Sequence, residues 1–234
     1  MQLAQEPDGF FSPAPGIRLY RSAFNIAWFA EFGIEPRVIL DIGSYDGGDG
    51  VRFMQAFPPS RVISFEADPD CFKIVEQSAR FGVEPVQCAV SDVDGQSSWF
   101  QAKDHLHGGS EYGSQGSLYL QNDALNKKFL FVEQSKDPII VTTTRLDTFC
   151  RKHGIRVIDL AHIDVQGAEH DVIMGLGTLR PKLLYVEVEQ DDRAGWIGAK
   201  GTERVHQLLL ELGYTLAGDF VTDRLYVHAD VSRP

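Results

Sequence analysis

Three acids, Asp41, Glu66 and Asp164, stand at the ends of apolar runs where the chain turns toward candidate helices. The first lies in Val38-Ile39-Leu40-Asp41-Ile42-Gly43-Ser44-Tyr45-Asp46-Gly47-Gly48, which reads as a buried strand opening through glycines into a helix. Open α/β sheets bind ligands at such carboxyl ends. A dinucleotide site would place G-x-G-x-x-G there, so that backbone amides and the helix N-terminus receive a pyrophosphate. Here Tyr45 takes the second glycine position, and Asp46 and Asp49 bracket the helix start with charge that opposes a pyrophosphate. A cationic or zwitterionic ligand suits the motif better, with Ser44 and Tyr45 in the turn that would face it; the alternative is a tight turn that binds nothing. Glu66, with Ala67 beside it, ends the next run, and a carboxylate at that place can accept both hydroxyls of a ribose. Asp68 before Pro69 reads instead as a helix cap. Ala89, Val90 and Ser91, followed by Asp92, offer backbone groups and an apolar wall to a purine.

The stretch Ala161-His162-Ile163-Asp164-Val165-Gln166-Gly167-Ala168-Glu169 repeats the pattern of strand, turn and helix. Period-two geometry puts His162 and Asp164 on one face. His162 reads as a satisfied core histidine. Asp164, an acid at the end of a central strand, must find a partner or a ligand. Glu169 in the first helical turn is either a dipole-compensating acid or a catalytic one. Asp164 and Glu169 are the candidates for a general base, with His105 and His107 a distant second choice. Glu187 and Glu189 share a face at the end of the following run and could join Asp164 in an acidic cluster that deprotonates a hydroxyl or holds a cation. No spacing specifies a metal, and none is assigned.

These residues need a sheet to converge. Buried strands are expected at Val38–Ile42, Val62–Phe65, Val86–Val90, Ile158–Asp164 and Leu183–Val188. Helices at Gly48–Phe57 and Pro69–Phe81 supply βαβ crossovers. Asp94-Gly95 predicts a hairpin joining Val86–Val90 to Ser97–Gln101. Residues 103–138 form either an active-site lid or a disordered excursion. Ile139–Thr143 is a further strand, Thr144-x-x-Asp147 a capping box, and Ala168–Leu179 and Thr202–Leu212 are helices before a closing hairpin of Tyr214–Ala217 and Arg224–His228. Phe24, Trp28 and Phe32 give Arg18–Phe32 helical spacing with a core-facing stripe. The expected layout is one domain over 1–234: an N-terminal helical cap over 1–36, a core over 37–190 and a C-terminal helix and hairpin over 191–234.

The blocks VILDIGSYDGG, VISFEADP, VQCAVSD, the GSL of Gly116–Leu118, VTTTRLDTF and HIDVQGAEHDVI, in that order from Arg37 to Glu189, resemble the successive motifs of FkbM-type methyltransferases. The resemblance spans about two thirds of the chain. It implies a Rossmann-like class I methyltransferase fold of the α/β class: a mostly parallel seven-stranded sheet, helices on both faces and an antiparallel closing hairpin. It also implies S-adenosylmethionine as donor, whose sulfonium and ammonium match the acids described above, and O-methylation of a hydroxyl on a sugar or natural product. Donor contacts at Asp41, Gly43 and Gly47, a ribose carboxylate at Glu66 and a functional acid at Asp164 follow from it. One position departs: Gln166 stands where the family pattern usually has a glutamate.

With 22 Lys and Arg against 33 Asp and Glu, the net charge of −11 disfavours nucleic acid and anionic membranes. The three cysteines, Cys71, Cys88 and Cys150, have no metal-binding or redox spacing and are expected to be buried free thiols. The expected location is cytoplasmic, and the oligomeric state is open. Two rival functions remain: a nicotinamide-dependent oxidoreductase, which Tyr45 and Asp46 oppose, and a non-catalytic nucleoside-binding module, which Gln166 favours.

Overall fold

The computed structural model describes residues 9–104, 113–189 and 195–231. The chain begins with a small hairpin, β1 (Gly9–Phe11) against β2 (Leu19–Arg21), and a single helical turn, α1 (Trp28–Glu31). The central layer then starts with β3 (Val38–Ile42), α2 (Gly48–Ala56), β4 (Arg61–Glu66), α3 (Pro69–Val75), a 3-10 turn at Glu76–Phe81 and β5 (Glu84–Gln87). Next come β6 (Ala89–Val90), β7 (Gly95–Trp99), β8 (Ala102–Asp104), α4 (Asp123–Lys128), β9 (Val132–Gln134) and β10 (Ile139–Thr144). The chain closes with α5 (Leu146–Lys152), β11 (Leu160–Ile163), α6 (Glu169–Gly175), β12 (Leu183–Glu187), α7 (Thr202–Glu211), β13 (Tyr214–Asp219) and β14 (Asp223–His228).

The main sheet has seven strands in the order β13-β14-β12-β11-β3-β4-β5. β12, β11, β3, β4 and β5 run parallel, while β14 and β13 return antiparallel at one edge. This is the Rossmann-like α/β architecture expected from the sequence. Alternate residues of the central strands feed two separate cores, as the period of two requires. Leu40, Ile63, Ala161 and Leu184 pack with α5, α6 and α7, whereas Ile39, Val62, Leu160 and Leu183 pack with α1 and α2. At the amino ends of the strands, the buried Asp159 carboxylate accepts from the Arg37 and Val38 amides and pairs with Lys182. This buried acid is therefore satisfied internally.

Local rules account for most of the crossovers. α2 starts at Gly47, whose φ of +82° is left-handed, and stops before Pro58-Pro59. α3 is capped by Asp68, whose Oδ1 accepts from the Asp70 and Cys71 amides, with Pro69 in the first turn. Two expectations are corrected. The hairpin at Asp94-Gly95 does not form: β10 lies between β6 and β7, parallel to the first and antiparallel to the second. The β-branched run of β10 competes successfully for both partners, and Asp94 spends its carboxylate on the Arg145 amide and the Thr148 hydroxyl. Accordingly Arg145, not Thr144, is the N-cap of α5, and Asp147 pairs with Arg145.

The second correction concerns the N-terminal segment. Phe24, Trp28 and Phe32 are buried as their spacing predicts, but Arg18–Phe32 is not one helix. The amides of Tyr20 and Ser22 donate to the carboxylates of Asp46 and Asp49, at 2.7 Å each, instead of to helical carbonyls. Cys71, Cys88 and Cys150 are buried free thiols. Among the described residues, no helix is long and apolar enough to cross a membrane.

The turn after β3 is built for glycine. Gly43 has a φ of +85°, and a Cβ there would lie 1.7 Å from the Asp164 carbonyl oxygen. Backbone strain and a forced shift of the neighbouring turn add, so Gly43→Ala is expected to lose about 2–4 kcal/mol of stability in denaturant unfolding. A native-like midpoint would show that the β3 and β11 turns do not touch.

Candidate active site

Asp41 occupies the middle of a polar row running across three parallel strands. The register aligns Ser64 of β4, Asp41 of β3 and His162 of β11, all facing the α2 layer. Asp41 accepts from the Ser44 hydroxyl at 2.6 Å, the Ser64 hydroxyl at 2.9 Å and His162 Nδ1 at 3.0 Å. Burial alone would raise the Asp41 pKa, but His162 and the two hydroxyls hold it below the ordinary value. Burial likewise opposes a charge on His162, yet the hydrogen bond to Asp41 and the negative charges of Asp49 and Asp41 push it up to about 9. The two form a buried ion pair at neutral pH, and His162 is the satisfied core histidine expected.

Next to this pair, at the carboxyl ends of β3, β4 and β11, lies a cavity of about 240 Å³. Its wall includes Asp41, Gly43, Ser44, Tyr45, Glu66, Ala67, Ala89, Val90 and Asp164. Most of the residues expected to bind a ligand therefore converge. Gly47 and Ser91 do not reach this wall. Gly47 forms the turn behind it, its amide on the Ser44 carbonyl. Ser91 is turned under α6, where a Cβ on Gly175 would come within 2.2 Å of its carbonyl oxygen. Glu169 also lies elsewhere, in the wall of a second cavity of about 940 Å³ that adjoins the first. His105 and His107 fall outside the described residues.

Glu66 accepts from the Tyr45 amide through Oε2 and from the Asp68 amide through Oε1, both at 2.8 Å. A carboxylate oxygen has two lone pairs, so each retains acceptor capacity toward the cavity. Burial outweighs these amides and pushes the Glu66 pKa up to about 8. Burial also takes Asp46 to about 7, against the hydrogen bonds from Tyr20 and Gly48. Glu169, which accepts from the Gly167 amide at 2.9 Å, is pushed up to about 7 by burial.

The expected acidic cluster is only partly assembled. Gln166 Nε2 donates to Asp164 Oδ1 at 2.6 Å and to Glu187 Oε2 at 2.5 Å. Loss of water contact, then the charge of Asp164, raises the Glu187 pKa well above the ordinary range. Glu189 turns away to Lys128, at 2.7 Å.

Seven carboxyl side chains line the smaller cavity, and among its described lining residues there is no Lys or Arg. His162 is the one basic side chain there, and Asp41 already neutralises it. Such a wall favours a cationic ligand and disfavours a pyrophosphate. Aromatic rings complete it: Phe10 and Tyr20 from the N-terminal hairpin, Trp99 from β7, and Phe129 and Phe131 after α4. These were not recognised from the sequence, because each comes from a distant segment with no motif of its own. The only available signal was the dense aromatic content of Phe129-Leu130-Phe131 within a polar stretch.

Comparison with known proteins identifies the family. Residues 41–216 match the family model described as the methyltransferase FkbM domain. A 2-O-methyltransferase, NoeI, of Sinorhizobium fredii is 28% identical over 214 residues, covering 89% of this chain and 83% of that protein. A solved methyltransferase FkbM from Methylobacillus flagellatus KT aligns with a TM-score of 0.47 and 11% identity, over 83% of this chain and 44% of that one. The chain thus spans less than half the length of that solved protein. With three quarters of its length inside the family match, the chain belongs to the FkbM methyltransferase family.

Proposed function

We propose that this protein transfers a methyl group from S-adenosylmethionine to a hydroxyl of a sugar or natural-product acceptor. The observation that carries this reading is the acid-lined cavity without Lys or Arg among its described residues, at the carboxyl ends of β3, β4 and β11. When bound, the donor supplies an electrophilic methyl on a positively charged sulfur. Its sulfonium and ammonium fit the carboxyl-rich wall, in which His162 and Arg52 are matched to Asp41 and Asp49 and the other acids line the cavity without Lys or Arg among its described residues. Glu66 would hold the ribose hydroxyls, Ala67, Ala89 and Val90 would flank the purine, and Asp41, Gly43, Ser44 and Tyr45 would face the methionine portion. Gly47 and Ser91 would act on these contacts indirectly, through the turn and the strand end they stabilise. The name of the 2-O-methyltransferase relative supports oxygen as the methylated atom.

The chain's main contribution is placement. Holding acceptor and donor in line can lower the barrier by about 7–11 kcal/mol. The same carboxyl-rich wall opposes the oxidoreductase alternative, since a dinucleotide would bring two phosphate charges against it.

Calorimetric titration with S-adenosylmethionine and S-adenosylhomocysteine tests the donor site. Saturable binding of both is expected, and Glu66→Ala should weaken each about tenfold or more; reduced nicotinamide dinucleotide should not bind. Wild-type affinity in Glu66→Ala would remove the ribose assignment, and absence of binding by the native chain would remove the donor.

A proton linkage follows from the same wall. Glu66 near 8 and Asp46 near 7 are partly protonated at neutral pH. A cation lowers both values, so its binding releases protons and tightens as pH rises from about 6 to 8. Release should be larger for the sulfonium compound than for its neutral-sulfur product, measured as the dependence of binding enthalpy on buffer ionisation enthalpy. Proton uptake, or equal release, would contradict a sulfonium bound within electrostatic reach of these acids.

A further inference from the structure

The two cavities share part of their walls. Gln115, Phe129, Gln166 and Glu187 line both, and Glu187 is the titratable side chain among these four. Building on the methyl-transfer reading above, we propose that the second cavity is the acceptor site for a polyhydroxylated molecule of the glycoside class, and that Glu187 is the catalytic base at its boundary with the donor cavity.

In-line transfer requires the attacking oxygen to reach the methyl group, so the reacting hydroxyl belongs at the junction of the cavities. A base must then lie within hydrogen-bond reach of that hydroxyl. Asp164 lines only the first cavity and Glu169 only the second, whereas Glu187 lines both. In the step itself, the Glu187 carboxylate takes the hydroxyl proton while the acceptor oxygen bonds the methyl carbon. The electron pair of the broken carbon–sulfur bond stays with sulfur, giving one ether, one neutral thioether and one proton that Glu187 later passes to water.

The walls of the second cavity suit a polyol. Its volume of about 940 Å³ is near the upper end of small-molecule sites, roughly 300–1,000 Å³. Trp196 provides a flat aromatic surface, fixed against Gly167, where a Cβ would lie 2.3 Å from the indole Cγ. Asn122, Thr202 and the Lys128–Glu189 pair supply polar groups around it. With Phe129 as a second ring, this mixture of aromatic faces and many hydrogen-bonding groups matches a sugar better than a lipid or a flat aromatic acceptor.

Gln166 is the positioning residue for the base. Its amide donates to Asp164 and Glu187 together, which orients the Glu187 carboxyl without adding negative charge. The groups acting on Glu187 are Asp164 and Glu169, from the turn and helix after β11, and Asp223 of β14. Burial, and then these acids, hold the proton on Glu187, so turnover should rise with pH as it ionises.

The test uses the full chain, methyl-labelled S-adenosylmethionine and a panel of methyl glycosides, phenols and simple primary alcohols. The native chain is expected to methylate a glycoside with kcat falling at acid pH. Glu187→Gln should lower kcat about 10²–10⁴-fold and abolish that acid limb while S-adenosylhomocysteine still binds saturably by calorimetry; Glu187→Asp should recover part of the rate. Gln166→Glu, by placing a third carboxylate beside the pair, should move the acid limb to higher pH. Independently of turnover, the glycoside should quench tryptophan fluorescence in the native chain and not in Trp196→Phe. Native kcat and a native pH profile in Glu187→Gln would overturn the base assignment alone. Methylation of phenols or alcohols but of no glycoside, or quenching that persists in Trp196→Phe, would overturn the acceptor assignment. Failure of the native chain to bind S-adenosylhomocysteine would overturn the methyl-transfer reading itself.

Discussion

The buried contact between Asp41 and His162 is the constraint from which the site is built. Two charged groups withdrawn from water carry a large desolvation cost, and their attraction offsets it only when the remaining lone pairs are satisfied. Here Ser44 and Ser64 satisfy them, so one carboxylate gathers donors from β3's own turn and from the strands on either side. The arrangement works only if β4, β3 and β11 keep their observed register, because a slip of one residue would turn these side chains to the opposite face. That register also sets the strand tips at one level. Gly43 can then pass so close to the Asp164 carbonyl that no side chain fits between them, and Glu66 can reach the Tyr45 amide.

The remaining acids divide by what their oxygens hold. Asp46 and Asp49 are bound to the backbone of residues 20 and 22, and Arg52 links the Asp49 carboxylate to the Phe24 carbonyl. They fasten the N-terminal segment across α2, which brings the rings of Phe10 and Tyr20 to the cavity. Glu66, Asp164 and Glu187 sit at strand ends along the same cavity, Glu66 holding the amides of Tyr45 and Asp68 and the other two sharing the Gln166 side chain. The acids bracketing the α2 start thus have a structural task as well as an electrostatic one. The high pKa values of Asp46 and Glu66 are the consequence of concentrating so many carboxyls in one desolvated place.

Legibility from the sequence follows the distance over which each feature is determined. The β3–α2 and β4–α3 units were readable because their signals are local: an apolar run, Gly43 and Gly47 in the turn, Asp68 capping before Pro69. The convergence of Asp41, Glu66 and Asp164 followed from the strand ends of a parallel sheet. The insertion of β10 between β6 and β7 was not readable, since Asp94-Gly95 is a sound turn signal and only competition from a strand some forty residues later cancels it. The loss of helix in Arg18–Phe32 has the same cause, as acids beyond residue 45 capture its amides. Glu169 was legible as an acid in the first turn of a helix, but not which cavity it lines, since that depends on the Gly167 amide its carboxylate accepts and on segments distant in sequence.

Gln166, the departure from the resembled family pattern, is accommodated by contacts of its own. Its backbone is left-handed, with φ of 53°, a conformation that costs a non-glycine residue of order 1–3 kcal/mol and persists where surrounding contacts impose it. Those contacts are visible: the Ser117 hydroxyl donates to its carbonyl, and its side chain donates to two carboxyl groups. A glutamate could not donate to both as an ionised group and would bring a negative charge into a place that already holds two carboxyl groups. An amide has two N–H donors and no charge, so it can separate the two acids while binding each. At this turn the physical requirement is a neutral donor between two acceptors, and glutamine meets it where the family's usual residue would have to carry a proton.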